Sequence, residues 1–224
     1  MSLENKLIAQ ENKENIFSRV KNRLKNSFRE IVYTGAIGLV FAGGIKARAA
    51  TYYVNPGQSI QHVINDHNVG AGDEIIVAPG RYIENINFNG KNITLRSTEP
   101  TNPNVVASTI IDGNKNGSVV TLENGEDPNC VLSGFAITNG YAKDGGGVNC
   151  NSSSPTLIKC TFVNNLAYRG GGGYFWNSDS IVKDCFFNRN SARHGGGMNI
   201  QSNNILGKKS SLTIINTIFS DNTA

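Results

Sequence analysis

The chain has 224 residues and a formal net charge of +4, with 25 glycines, and aromatic and long helix-forming residues are sparse. That length allows one domain with a substantial core, and the regular recurrence of Val, Ile, Leu and Phe excludes a disordered chain. The charge is unevenly spread: residues 1–50 carry nine Lys/Arg against four Asp/Glu, and residues 51–224 carry twelve against thirteen. The body of the chain therefore has no basic footprint for DNA or RNA.

Residues 1–50 read as an export signal with a long basic n-region. Ile31 to Ile45 is an uncharged, mostly apolar run of fifteen. It follows Arg19, Lys21, Arg23, Lys25 and Arg29 and precedes Ala47-Arg48-Ala49-Ala50, the small residues that a signal peptidase needs. Cleavage after Ala49 or Ala50 would start the mature chain near Thr51. The protein is then exported, to the extracellular space or to a bacterial cell surface or outer membrane. An uncleaved anchor is the alternative, but a span takes about 20 apolar residues, and no membrane span is expected in the mature chain.

Ser59 to His67 puts Ile60, Val63 and Ile64 on one helical face behind a capping serine. This fits a short helix covering the N-terminal end of a stack. Strands bounded by turn residues follow in GDEIIVAPGRYIEN, KNITLRS, STIIDGN and SVVTLEN. Beyond them the chain repeats. Gly145-Gly146-Gly147 returns as Gly170-Gly171-Gly172 and Gly195-Gly196-Gly197, each time after 25 residues. Leu132, Leu157 and Val182 keep the same step, as do Phe135, Cys160 and Cys185, then Ile137, Phe162 and Phe187, then Gly140, Asn165 and Asn190. A further copy at a step of 32 holds Ile214, Thr217, Phe219 and Asn222, the extra residues fitting a loop around Gly207-Lys208-Lys209-Ser210.

A coil this short cannot bury its apolar face alone, but stacked coils can. The columns then become ladders with a rung spacing of about 4.8 Å. Between the Leu157 and Cys160 columns lie two residues: Ser133-Gly134, Ile158-Lys159, Lys183-Asp184 and Ile215-Asn216. Gly, Asp and Asn in the second place tolerate the left-handed conformation of a sharp corner. A third strand follows the glycines, with Val148 and Cys150, Gly173 and Phe175, and Met198 and Ile200 inward. The reading is an all-β fold: a right-handed parallel β-helix over residues 51–224, about 25 residues per coil, with a short N-terminal capping helix. The chain stops at Ala224, just after a copy of the repeat, which suggests a truncated chain or an end that pairs with another.

The stretch from SIQHVIND through GAGDEIIVAPGRYIENINFNGKNITLRS to TIIDGN resembles the N-terminal part of pectin-lyase-like β-helix proteins. The GGGV and GGGM strands coupled to Phe162-Val163-Asn164-Asn165, Phe187-Asn188-Arg189-Asn190 and Phe219-Ser220-Asp221-Asn222 resemble the repeats of chlamydial polymorphic outer membrane proteins. Gly173 departs from that pattern, standing where an aliphatic residue belongs. The resemblance implies the fold over about residues 52–224 and leaves function open.

Lyases of that fold would carry acidic calcium ligands beside a basic residue, and related hydrolases would carry clustered aspartates. Neither set is intact, so calcium enters only if the protein is a lyase and no other cofactor is expected. Asp112 in TIIDGN is the best lone carboxylate, read as a turn residue before a metal ligand. Outward, Lys143, Tyr168 and Arg193 share one column, and Asp144, Arg169 and His194 share the next. An Asp–Arg–His line could bind an acidic sugar or serve as acid and base. The bland alternative is a solvated turn with a weak surface ion pair. Tyr174 and Trp176 stand outward in a face of amides formed by Asn149, Asn151, Asn199 and Gln201, suited to stacking on sugar rings and bonding hydroxyls.

The four cysteines (Cys130, Cys150, Cys160, Cys185) match no zinc spacing. Cys160 and Cys185 are stacked neighbours. A strained disulfide is one outcome and a ladder of buried thiols the favoured one, while Cys130 and Cys150 find no pairing. His62, His67 and His194 are too dispersed for a metal. The functional expectation is a secreted or cell-surface β-helix with a structural, adhesive or glycan-binding role and a polysaccharide or surface partner. The alternative is a pectate-lyase-like enzyme on acidic polysaccharide. The oligomeric state is not legible.

Overall fold

The computed structural model describes residues 49–203 and 210–224. The expected export segment lies outside these residues except for Ala49 and Ala50, and so does most of the Gly207–Ser210 loop. Strand β1 (Thr51–Val54) leads into helix α1 (Ile60–Asn65). The helix begins where the sequence places it: Ser59 accepts the His62 N–H, and Ile60 and Ile64 are buried. Glu84 accepts the Ile60 and Gln61 N–H groups at 2.8 and 3.1 Å, satisfying donors that a helix start leaves open.

The irregular coils follow as β2 (Glu74–Val77), β3 (Gly80–Ile83), β4 (Ile86–Asn87), β5 (Thr94–Ser97), helix α2 (Pro103–Ser108), β6 (Thr109–Asp112) and β7 (Val120–Leu122). The first regular coil is β8 (Val131–Ser133), β9 (Ala136–Thr138), β10 (Tyr141–Asp144) and β11 (Val148–Asn151). The second is β12 (Thr156–Ile158), β13 (Thr161–Val163), β14 (Leu166–Arg169) and β15 (Gly173–Trp176). The third is β16 (Ile181–Lys183), β17 (Phe186–Asn188), β18 (Ser191–His194) and β19 (Met198–Gln201), and β20 (Thr213–Ile215) and β21 (Ile218–Ser220) open the next.

These strands stack into a parallel β-solenoid of about six turns. Three long sheets run along it: β1-β2-β5-β8-β12-β16-β20, β3-β6-β9-β13-β17-β21 and β4-β7-β11-β15-β19. A fourth, β10-β14-β18, has three strands. The registers are those of the sequence columns: Leu132, Leu157 and Val182 align, as do Ile137, Phe162 and Phe187. Val182 aligns in turn with Ile214 across the step of 32, so the extra residues leave the ladder undisturbed.

The interior is a single apolar cluster of these ladders. Each fully buried Leu, Ile or Phe contributes roughly 1.5–3 kcal/mol. Phe162, Phe187 and Phe219 stack face to face with ring centroids 4.5 and 5.0 Å apart. All four cysteines are free and buried, so the thiol ladder is present and the Cys160–Cys185 disulfide is not. The two-residue corners are left-handed at Gly134, Lys159, Asp184 and Asn216, with φ of 77, 52, 54 and 45°. Asn165 and Asn190 are buried. Asn190 donates its amide to the Phe162 carbonyl at 2.9 Å and to Asn222 Oδ1 at 3.0 Å, while its own oxygen accepts from Asn165. Among the described residues no helix is long and apolar enough to cross a membrane.

Candidate ligand groove beside the short sheet

The triple glycines position this site. Gly145 has φ +63°, and a Cβ there would lie 2.7 Å from the Asn149 Cα, so β10 turns straight back onto β11. At the next glycine the backbones pack as closely, since a Cβ on Gly146 would lie 2.6 Å from the Gly171 oxygen. Only glycine permits both the turn and the approach. In consequence Asp144 and Arg169, at the ends of β10 and β14, meet the outward residues of β11 and β15. Asp144, Asn149, Asn151, Arg169, Tyr174 and Trp176 line one groove of about 210 Å³.

Asp144 and Arg169 are register partners and form a two-pronged ion pair, Nε to Oδ1 at 2.5 Å and Nη2 to Oδ2 at 2.7 Å. The remaining guanidinium nitrogen donates to Gln201 Oε1 at 3.1 Å. The flat face of Arg169 lies 4.8 Å from the centre of the Tyr174 ring, a favourable cation–π arrangement. Tyr174 donates its hydroxyl to the same Gln201 oxygen at 3.2 Å. The hydrogen bonds that Arg169 donates to Asp144 are the main cause of its raised pKa, so the guanidinium is held charged. Burial pushes the Tyr174 hydroxyl upward in turn. The side chains of Arg169 and Asp144 are 25 and 22% exposed, so the pair is a wall of the groove more than a surface ornament.

Asn149, Tyr174 and Asn199 lie side by side on adjacent rungs. The Oδ1 atoms of Asn149 and Asn199 are buried and have no hydrogen-bond partner among the described residues. Asn151, Trp176 and Gln201 form the next row, and Trp176 is partly exposed.

The structure thus joins the two features that the sequence presents separately, the Asp144–Arg169 column and the aromatic–amide face. His194 aligns with Arg169 in register, but its ring meets Tyr168 edge-on at 5.3 Å and is not among the groove lining. Tyr174 does point away from the core, yet it is only 4% exposed because Arg169 covers it, which leaves Trp176 as the aromatic within reach of a ligand. Lys143 and Arg193 remain exposed in the outward column, Arg193 lying over Tyr168 at 5.5 Å.

Asp112 sits elsewhere, 3% exposed. Its carboxylate accepts from the Asn114 N–H at 2.9 Å, the Asn139 amide at 3.0 Å and the Arg81 guanidinium. Burial alone would raise its pKa, but these donors outweigh burial and hold it below the ordinary value. It is a paired carboxylate at the end of β6, holding the turn that begins at Asn114. Among the described residues no three His, Cys, Asp or Glu side chains converge as a metal-binding set. A second hollow of about 320 Å³, beside α2, is lined by Pro100, Pro103, Val106, Ala107 and Phe186 together with Thr101, Lys159, Cys160, Thr161 and Asp184. No family model matches the chain, and comparisons with curated proteins and with solved structures found no match. The β-solenoid fold is shown, and none of these comparisons supports membership of the pectin-lyase-like or polymorphic outer membrane protein families.

Proposed function

We propose that the protein is an exported β-solenoid that binds a carbohydrate chain in the groove along β10–β11 and β14–β15. One observation carries the reading: a groove of about 210 Å³ brings a reachable tryptophan, two asparagines and a fixed ion pair together on a rigid stack. The volume is below the roughly 300–1,000 Å³ of enclosed small-molecule sites, which suits one sugar ring of a polymer that continues along the solenoid. Trp176 supplies a stacking face, and Asn149 and Asn151 supply donors and acceptors for hydroxyls. Register-locked parallel strands hold these groups with little freedom to lose on binding, which favours affinity. Export is supported by the apolar run Ile31–Ile45 and the small residues before Thr51. Asp144 has both carboxylate oxygens bound to Arg169, so neither group is free to act as acid or base, and binding is preferred to catalysis.

The test uses protein recovered from outside the producing cells, its start near Thr51 read by N-terminal sequencing. Retention on a panel of immobilised polysaccharides is compared with that of Trp176→Ala. The expected outcome is retention on at least one polymer and a loss of about tenfold in the variant, the equivalent of ~1.4 kcal/mol. Equal retention of both proteins on every polymer would remove the groove from the account.

A further inference from the structure

Resting on that carbohydrate reading, we propose that the ligand is an uncharged polysaccharide and that Asp144 is the residue that enforces this choice. A guanidinium in a sugar-sized groove is the usual clamp for a carboxylate, since its paired N–H groups match both oxygens. Arg169 keeps little of that capacity: three of its five N–H groups are engaged within the chain, and its charge is already matched by Asp144. Its forked edge is already taken by Asp144 at 2.5 and 2.7 Å, its third nitrogen donates to Gln201, and its face lies on Tyr174. An incoming uronate would have to displace a carboxylate of this chain or sit beside it, and two like charges in a partly desolvated groove repel. The pair presents no net charge, so the groove attracts neither ion.

The second observation is independent. Asn149 lines the groove, and its Oδ1 is buried without a donor. Such an acceptor is costly to leave unmatched, and a small rotation of the amide offers it to a hydroxyl. A sugar ring, neutral or uronic, carries hydroxyl donors, so this acceptor supports the carbohydrate reading of the groove, while the choice between neutral and acidic polymers rests on the Asp144–Arg169 pair. The other charged groups near the groove, Lys143 and Arg193, lie on β10 and β18 outside its lining. They draw anions toward the molecule without recognising them in the groove, and the test must remove that effect.

The full chain is titrated calorimetrically with soluble oligomers of matched linkage that differ only in oxidation at C6: β-1,4-mannan with β-1,4-polymannuronate, and β-1,4-glucan with β-1,4-polyglucuronate. The background is Lys143→Gln/Arg193→Gln. The expected result is binding to a neutral member at least tenfold tighter than to its uronate. Asp144→Ala then strengthens the uronate by tenfold or more by freeing Arg169, Asp144→Asn does so less, and Trp176→Ala weakens both. A thermal melt checks the fold, and Asp144→Asn carries the test if the alanine variant unfolds. Uronate binding that is tighter than neutral binding, or unchanged by the Asp144 variants, overturns the neutral assignment while Trp176 dependence keeps the groove. Binding insensitive to Trp176→Ala, or no binding to any polymer, overturns the carbohydrate reading itself.

Discussion

At the scale of single residues the fold depends on polar groups whose every bond is made. Asn190 is the clearest case: it is fully buried, and its side chain bridges three rungs. It accepts the Asn165 N–H at 3.1 Å and the Asn165 amide at 3.0 Å, and donates to the Phe162 carbonyl and to Asn222. Replacing it by alanine leaves a buried donor and a buried carbonyl without partners, at roughly 1–3 kcal/mol for each group. Asn190→Ala is therefore expected to lower unfolding stability by about 3 kcal/mol in a denaturant titration, whereas Asn188→Ala, two residues earlier at the end of β17, half-buried and with its Oδ1 unpaired, should cost far less. Equal losses from the two would mean that the ladder adds nothing beyond volume.

At the scale of the element, strand β15 accommodates its exceptional residue by compensation. Its inward pair is Gly173 and Phe175, flanked by Val148 and Cys150 on one side and by Met198 and Ile200 on the other. A Cβ on Gly173 would stand 2.9 Å from the Phe175 ring and 3.1 Å from Val148, so the ring fills the space that a side chain at 173 would occupy. Gly173→Val alone is expected to destabilise by about 1–3 kcal/mol through overpacking. The pair Gly173→Val/Phe175→Ile, which restores the pattern of the neighbouring rungs, should recover much of that, giving a measurable coupling in a double-mutant cycle. The repeat made such inward and outward assignments legible, because a column of like residues at a step of 25 has one physical explanation. What it concealed was tertiary. Nothing in Gly145-Gly146-Gly147 says that the chain doubles back so closely that Arg169 lands on Tyr174, so the charged and aromatic columns stand apart in the sequence. Glu126 gave no signal either. It is 1% exposed and accepts from Asn124 in its own loop and from Gly90 and Ser153 in two others, and no local pattern links it to the latter two.

At the scale of the whole molecule, the solenoid behaves as one long interior shielded from water, and the four thiols report on it. Burial raises the pKa of Cys160 to about 11, and it is the first cause of the upward shifts of Cys130, Cys150 and Cys185. An unfolded cysteine ionises near pH ~8.5. Below that value the thiols are neutral in both states and contribute no pH dependence. Above it the unfolded chain loses thiol protons that the folded chain keeps, so stability is present in full below the unfolded pKa and is lost as pH rises toward the folded one. The midpoint of denaturant unfolding is therefore expected to hold steady from pH 7 to 8.5 and to fall between pH ~9 and ~11. Buried tyrosines such as Tyr52 and Tyr82, also shifted upward by burial, add to the fall at its upper end. Replacing Cys160 and Cys185 by alanine costs stability at every pH through the lost volume, but it should flatten the slope in this window, a separation that a simple packing defect cannot produce. A slope unchanged by the double variant would show that these two thiols ionise as readily in the folded chain as in the unfolded one, and that the interior beside them admits water.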